Sequence, residues 1–177
     1  MYSYLLHKHK VFISFYHHDD QYYKDFIDTY LSKNIINKSV REGEYKTENS
    51  DEYIKRLIRE DKISDSSVIV VLVGPNTKKR KHVDWEIYAG LNKNIKGNSG
   101  LVCIFLPELP KTSNGGHLYS DIPARLADNI KSGYADCYEW DDAIRNFDNI
   151  IEKAFNNRIQ RRNLIDNSRL QMQRNLG

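Results

Sequence analysis

Glu86 stands in the stretch His82-Val-Asp-Trp-Glu-Ile87, between the large apolar surfaces of Val83, Trp85 and Ile87. A carboxylate in such company is unusual for a solvent-facing position; it faces either an ion-pair partner or a polar cavity. Just before it, Asn76-Thr-Lys-Lys-Arg80 places cations ahead of the same helix. They can meet a phosphate with help from the positive end of that helix, or form a solvated charge run. A third cluster is His17-His18-Asp19-Asp20. It has metal-ligand chemistry, but no second cluster at ligand spacing accompanies it; an Asp capping a helix beside exposed histidines reads equally well.

These residues need elements to hold them. Val11–Phe15 is a short apolar run of β-formers and predicts a buried first strand. The polar stretch Tyr16–Gln21 reads as a loop, after which Tyr22/Tyr23, Phe26/Ile27 and Tyr30/Leu31 mark a helix face. Ile35–Val40 predicts a short edge strand, and Asn49 with Glu52 a capping box ahead of a helix whose buried face is Tyr53/Ile54 and Leu57/Ile58. Ser66–Val73 is apolar on both faces and stops at Gly74-Pro75, the pattern of a central parallel strand covered by helices. Val83–Asn94 predicts the next helix, Leu101–Leu106 a strand, and 107–120 a polar loop. Ile122–Ile130 predicts a short helix and Ala135–Tyr138 the last strand. A final helix capped by Asp141 then runs to Ile159, and from Gln160 the pattern loosens into a frayed helix or tail.

Alternating strands and helices imply an α/β doubly wound fold, flavodoxin-like, with five parallel strands in the order 2-1-3-4-5 and helices on both faces. Its switch point lies between strands one and three, so Tyr16–Gln21 and Gly74–Arg80 should line the site. A phospho-receiver needs an Asp ending strand three, where this chain has Val73-Gly74-Pro75. A flavodoxin needs a glycine- and hydroxyl-rich phosphate loop after strand one, and Ser14–Asp20 holds no glycine.

The chain's 177 residues suit one domain, over 1–158, followed by a basic tail or helix extension over 159–177. The net charge of +3 is concentrated in that tail, where residues 157–177 hold five Arg against one Asp. The near-neutral remainder argues against a nucleic-acid partner. With 40% hydrophobic and 29% charged residues, disordered and collagen-like classes fall away. No apolar run approaches a membrane span, and no secretory signal opens the chain. Cys103 and Cys137 read as reduced core residues of a cytoplasmic protein.

Val11–Asp19 (VFISFYHHD), Ser67–Ile87 (SVIVVLVGPNTKKRKHVDWEI) and the Ile122–Ile130 segment together resemble TIR-like domains of the bacterial anti-phage Thoeris type, over the chain to about residue 158. Ser14, Phe15 and Asp19 match the strand-one motif. Thr77, Arg80, Val83, Glu86 and Ile87 match the family pattern of a Thr, a basic residue, then a helix with a Val and a Glu-Ile pair. The family often has Trp four residues before that Glu; here the position is His82, and Trp85 adjoins the Glu instead. What forms the aromatic wall of the pocket is therefore left open.

The resemblance implies an enzyme that consumes NAD as substrate, with no other cofactor and no metal, and cleaves the nicotinamide–ribose bond. Glu86 would be its catalytic carboxylate, with Ser14, Phe15, Tyr16, Asp19, Thr77 and Arg80 around the substrate. Within that frame Phe15 and Tyr16 offer stacking surface and Arg80 a counter-charge for the pyrophosphate. The expected product is an ADP-ribose-derived signalling nucleotide, cyclic in one version, that activates a separate effector. A phage-derived trigger and homo-oligomerisation fit the same picture, with neither nucleic acid nor membrane as partner. Many similar domains act instead as non-catalytic adaptors that assemble through surface loops.

Overall fold

The computed structural model describes residues 8–40, 44–92 and 97–177. Five parallel strands form one sheet: β1 (His9–Ser14), β2 (Ile35–Asn37), β3 (Val68–Val73), β4 (Gly100–Phe105) and β5 (Asp136–Glu139). Their order is β2-β1-β3-β4-β5, the flavodoxin-like arrangement expected from the sequence. In register, Ser14 pairs with Val71 and Val73 with Phe105, so β1 and β3 end close together at the carboxyl edge.

Helices α1 (His17–Phe26), α5 (Trp140–Arg145) and α6 (Phe147–Gln160) cover one face; α2 (Asp51–Leu57), α3 (Lys81–Leu91) and α4 (Ala124–Lys131) cover the other. The two-residue period of β3 divides its side chains between two cores. Val68, Val70 and Leu72 pack with Ile27, Ala143 and Ile151, while Ile69, Val71 and Val73 pack with Ile58, Ile87 and Leu126. Both faces being covered accounts for the unbroken hydrophobicity of the strand.

Three boundaries and the burial of one cysteine differ from the sequence expectation. The stretch Tyr16–Gln21 is largely helix, not loop: α1 begins at His17, with Asp19 and Asp20 in its first turn, where carboxylates favour the helix dipole. Ser50, not Asn49, is the N-cap of α2, its Oγ accepting the Tyr53 N–H at 3.2 Å. The last helix is two, α5 and α6, parted at Asn146, and Asp141 lies in the first turn of α5. Cys103 is buried as expected, but Cys137 is exposed because it lies on the edge strand β5. The far end of the helix expected over Val83–Asn94 lies outside the described residues beyond Asn92.

Residues 161–177 are not a frayed end. After a 3-10 turn at Arg162–Leu164 they run back along α3 and α4 as an irregular strap. Asn129 holds the strap by its amide, donating to Asp166 O at 2.7 Å and accepting Asp166 N at 3.0 Å. Arg169 forms a two-pronged pair with Asp128 at 2.8 and 3.0 Å. Among the described residues no helix is long and apolar enough to cross a membrane.

Candidate functional site

A cavity of about 240 Å³ opens at the carboxyl ends of β1 and β3, at the switch point. Two structural devices bring its walls together. Ser14 shares the face of β1 with Phe12, toward α3, because side chains alternate along the strand. Gly90 lets α3 lie close on the sheet, since any Cβ there would collide with Ile69. The stripe Val83, Glu86, Ile87 of α3 then faces inward, and Glu86 reaches Ser14.

Glu86 is only 4% exposed. Its Oε2 accepts a hydrogen bond from Ser14 Oγ, and its Oε1 accepts one from the Tyr45 hydroxyl at 3.0 Å. Burial pushes its carboxyl up to about 7, against the opposing pull of those two hydroxyls. Among the described residues no cation is bonded to it, and it lines the polar cavity.

The cavity wall is aromatic. Phe15, Tyr16, Tyr45 and His82 all line it. His82, at the family's Trp position, packs edge-on to Tyr45 at 4.9 Å between ring centres, and burial with Lys81 nearby holds its imidazole down to about 4, hence neutral. Trp85 is turned away and buried, its indole N–H donating to Met172 O at 2.8 Å. The aromatic wall is thus made by Tyr45 and His82, without a tryptophan.

Arg80 lies at the mouth, its guanidinium 4.3 Å from the centre of the Tyr16 ring, with a buried Nε that has no hydrogen-bond partner. Its neighbours in the basic run are engaged elsewhere. Lys78 Nζ donates to Asp121 at 2.8 Å and Lys81 Nζ to Asp51 at 2.7 Å. The charge run therefore resolves into two ion-paired lysines, Lys78 and Lys81, the intervening Lys79, and one arginine at the cavity.

The remaining expected site residues play other parts. Thr77 is fully buried beneath the loop that follows β3, where its Oγ1 accepts the Gly74 N–H at 2.9 Å. That bond shapes the turn that delivers Arg80. Asp19 sits outside the cavity wall, exposed, taking hydrogen bonds from His18 and from Asn76 at 2.8 Å that hold its carboxyl below the usual range. Its neighbour Asp20 is the buried one, 3% exposed against Gly74, where a Cβ would lie 2.8 Å from Oδ1. Burial, then the charges of Asp19 and Glu108, push Asp20 up to about 7.

Two wall residues carried no local sequence signal. Tyr45 lies in the polar stretch 44–50, and Asn175 lies in the strap; the structure places both on the cavity.

A family model described as Thoeris protein ThsB, TIR-like domain, matches residues 12–111, a span that contains the second half of β1, β2 to β4, Glu86 and Arg80. No curated protein matches the chain. Among solved structures, the TIR domains of the activated Roq1 resistosome directly recognizing the pathogen effector XopQ share 16% identity over 84% of each chain, with a TM-score of 0.41. The family match alone is decisive: this chain belongs to the Thoeris ThsB TIR-like domain family.

Proposed function

We propose that this protein consumes NAD, cleaving the nicotinamide–ribose bond at Glu86, and releases an ADP-ribose-derived nucleotide that activates a separate anti-phage effector. The observation that supports this reading most is a buried carboxylate on the floor of an aromatic cavity, bonded to two hydroxyls and, among the described residues, to no cation.

Such a carboxylate suits this reaction. The nicotinamide of NAD is cationic and leaves neutral, so no strong general acid is needed. The barrier is the positive charge that develops on the ribose, and a nearby desolvated carboxylate opposes it. With its pKa at about 7, free Glu86 is divided between acid and carboxylate at neutral pH. Arrival of the pyridinium cation favours the charged form, so substrate binding expels the proton from the residue that must be anionic. Ser14 and Tyr45 keep both oxygens oriented.

The cavity is smaller than the roughly 300–1,000 Å³ usual for ligand sites, so the nicotinamide riboside half enters and the pyrophosphate lies across the mouth. There the Arg80 guanidinium offers it a charge-assisted bond. Tyr16, already under the guanidinium, gives a ring face beside it.

Mass spectrometry of the products formed from NAD, with and without phage lysate as trigger, tests the reading. Free nicotinamide together with an ADP-ribose-derived species is expected, and Glu86→Gln should lower its formation by at least about a thousandfold, the scale of losing one electrostatic catalytic group. Intact NAD under both conditions, or full phage protection by the Glu86→Gln protein, would overturn it in favour of a non-catalytic adaptor.

A further inference from the structure

The strap at the C-terminal end lies outside the residues matched by the family model, yet it runs antiparallel along α3, bonding to it at three successive levels and then to the 3-10 turn before it. Asn167 Nδ2 donates to Tyr88 O at 3.2 Å. Met172 accepts from the Trp85 indole and donates its own N–H to Asp84 Oδ2 at 2.8 Å. Asn175 Oδ1 accepts the Lys81 N–H at 2.9 Å, and Leu176 N donates to Lys79 O at 2.9 Å. Of these contacts, the one through Asn175 lies at the cavity.

The Asn175 bond falls at a sensitive point. The first N–H groups of a helix have no partner within it, and residue Arg80, at the N-cap of α3, caps none with its side chain. Asn175 supplies the missing acceptor from 94 residues away in sequence. The turn so capped carries His82 and Val83 and leads directly to Glu86. Asn175 also lines the cavity, and with its oxygen committed to Lys81 its Nδ2 has no partner among the described residues.

We propose that Asn175 is a two-sided site residue: its Oδ1 positions the first turn of α3, and its Nδ2 donates to an oxygen of the dinucleotide at the cavity mouth. This rests on the NAD reading of the site. The strap is accordingly part of the binding site, Asn175 and Arg80 both lining the cavity, and the site within the residues matched by the family model is incomplete without it.

Two substitutions separate the two sides. Asn175→Ala removes both acceptor and donor, whereas Asn175→Asp keeps the acceptor and replaces the donor with a negative charge. Amide exchange of Lys81, measured on the full chain without ligand, reads the cap. It should quicken about fivefold in Asn175→Ala and stay at the parent rate in Asn175→Asp, the size of one lost N-cap. Affinity for NAD, titrated on the Glu86→Gln background so that none is cleaved, reads the donor. It should weaken about tenfold in both variants, the scale of one hydrogen bond at a ligand.

A residue with a purely structural role would leave NAD affinity of Asn175→Asp at the parent value, and that result overturns the donor assignment. Unchanged Lys81 exchange in Asn175→Ala overturns the cap. If the Glu86→Gln protein with Asn175 intact binds no NAD at all, the NAD reading falls and takes the donor role with it, while the exchange data still decide the cap.

Discussion

Asp84 and Glu86 are two residues apart on α3, both buried, and treated in opposite ways. Asp84 faces α4 and the strap. It takes a two-pronged pair from the fully buried Arg125, at 2.8 and 3.4 Å, and the Met172 N–H at 2.8 Å. Arg125 is completed in turn by Asn167 at 3.0 Å and lies 5.0 Å from the Tyr88 ring centre. Glu86 faces the cavity and, among the described residues, receives two hydroxyls only. One carboxylate has its charge neutralised within the fold, and the other meets no counter-charge among the described residues. Helical phase alone separates the roles, because residues two apart cannot share a face.

The contrast breaks most visibly in stability. Asp84→Ala strands Arg125 in the interior without its counter-charge and also frees the strap, so it should cost about 3–5 kcal/mol. Urea unfolding of the parent and variant measures this. Glu86→Gln strands no cation, so at neutral pH it should cost nothing comparable. A small loss in Asp84→Ala would mean that Arg125 finds water or another acceptor, and that Asp84 is no more a structural anchor than Glu86.

The second test is the pH dependence of folding. Glu86 has an ordinary value of 4.5 and about 7 in the folded protein. The folded state therefore holds this proton more tightly than the unfolded chain does. The stabilisation is fully present below about 4.5 and is lost as pH rises to about 7, amounting to about 3 kcal/mol across that window. Glu86→Gln removes this dependence. Relative to the parent protein, the variant should gain about 3 kcal/mol between pH 4.5 and pH 8, read from paired urea curves. Asp20, also raised to about 7, remains in both proteins and cancels in the comparison. A constant difference across the range would show that Glu86 titrates like an exposed carboxylate.

The sequence showed one half of this contrast and hid the other. Glu86 was legible because a carboxylate between Val83, Trp85 and Ile87 is out of place on a solvent face. The sheet order followed from β3, whose unbroken hydrophobicity requires cover on both sides. Asp84 carried no comparable signal, since its partners come from Arg125 and Met172, far along the chain. The strap was illegible for the same reason: its bonds join side chains to distant backbone, and such bonds impose no period on the sequence. Nor does a doublet such as Asp19-Asp20 reveal which member turns inward; that depends on where α1 begins, and its first turn is too polar to show a stripe. Tyr45 is an isolated aromatic in a polar segment, where spacing has nothing to measure.

The smallest expected effect is the most specific. Tyr45 and Ser14 are the groups whose hydrogen bonds pull Glu86 down against burial. Tyr45→Phe keeps the ring against His82 and removes only the hydroxyl that donates to Oε1 at 3.0 Å. A hydrogen bond to a charged group contributes about 1.5–3 kcal/mol. Its loss should move Glu86 further up, by about one unit, making it still less like its neutralised neighbour Asp84. On the proposed NAD reaction, the rising limb of kcat/KM against pH reports the free protein's carboxylate, so it should shift about one unit toward alkaline pH with the high-pH plateau little changed. A lowered plateau with no shift would assign Tyr45 to substrate contact instead. An unmoved profile would mean that the hydroxyl does not bear on Glu86, leaving Ser14 alone to oppose its burial.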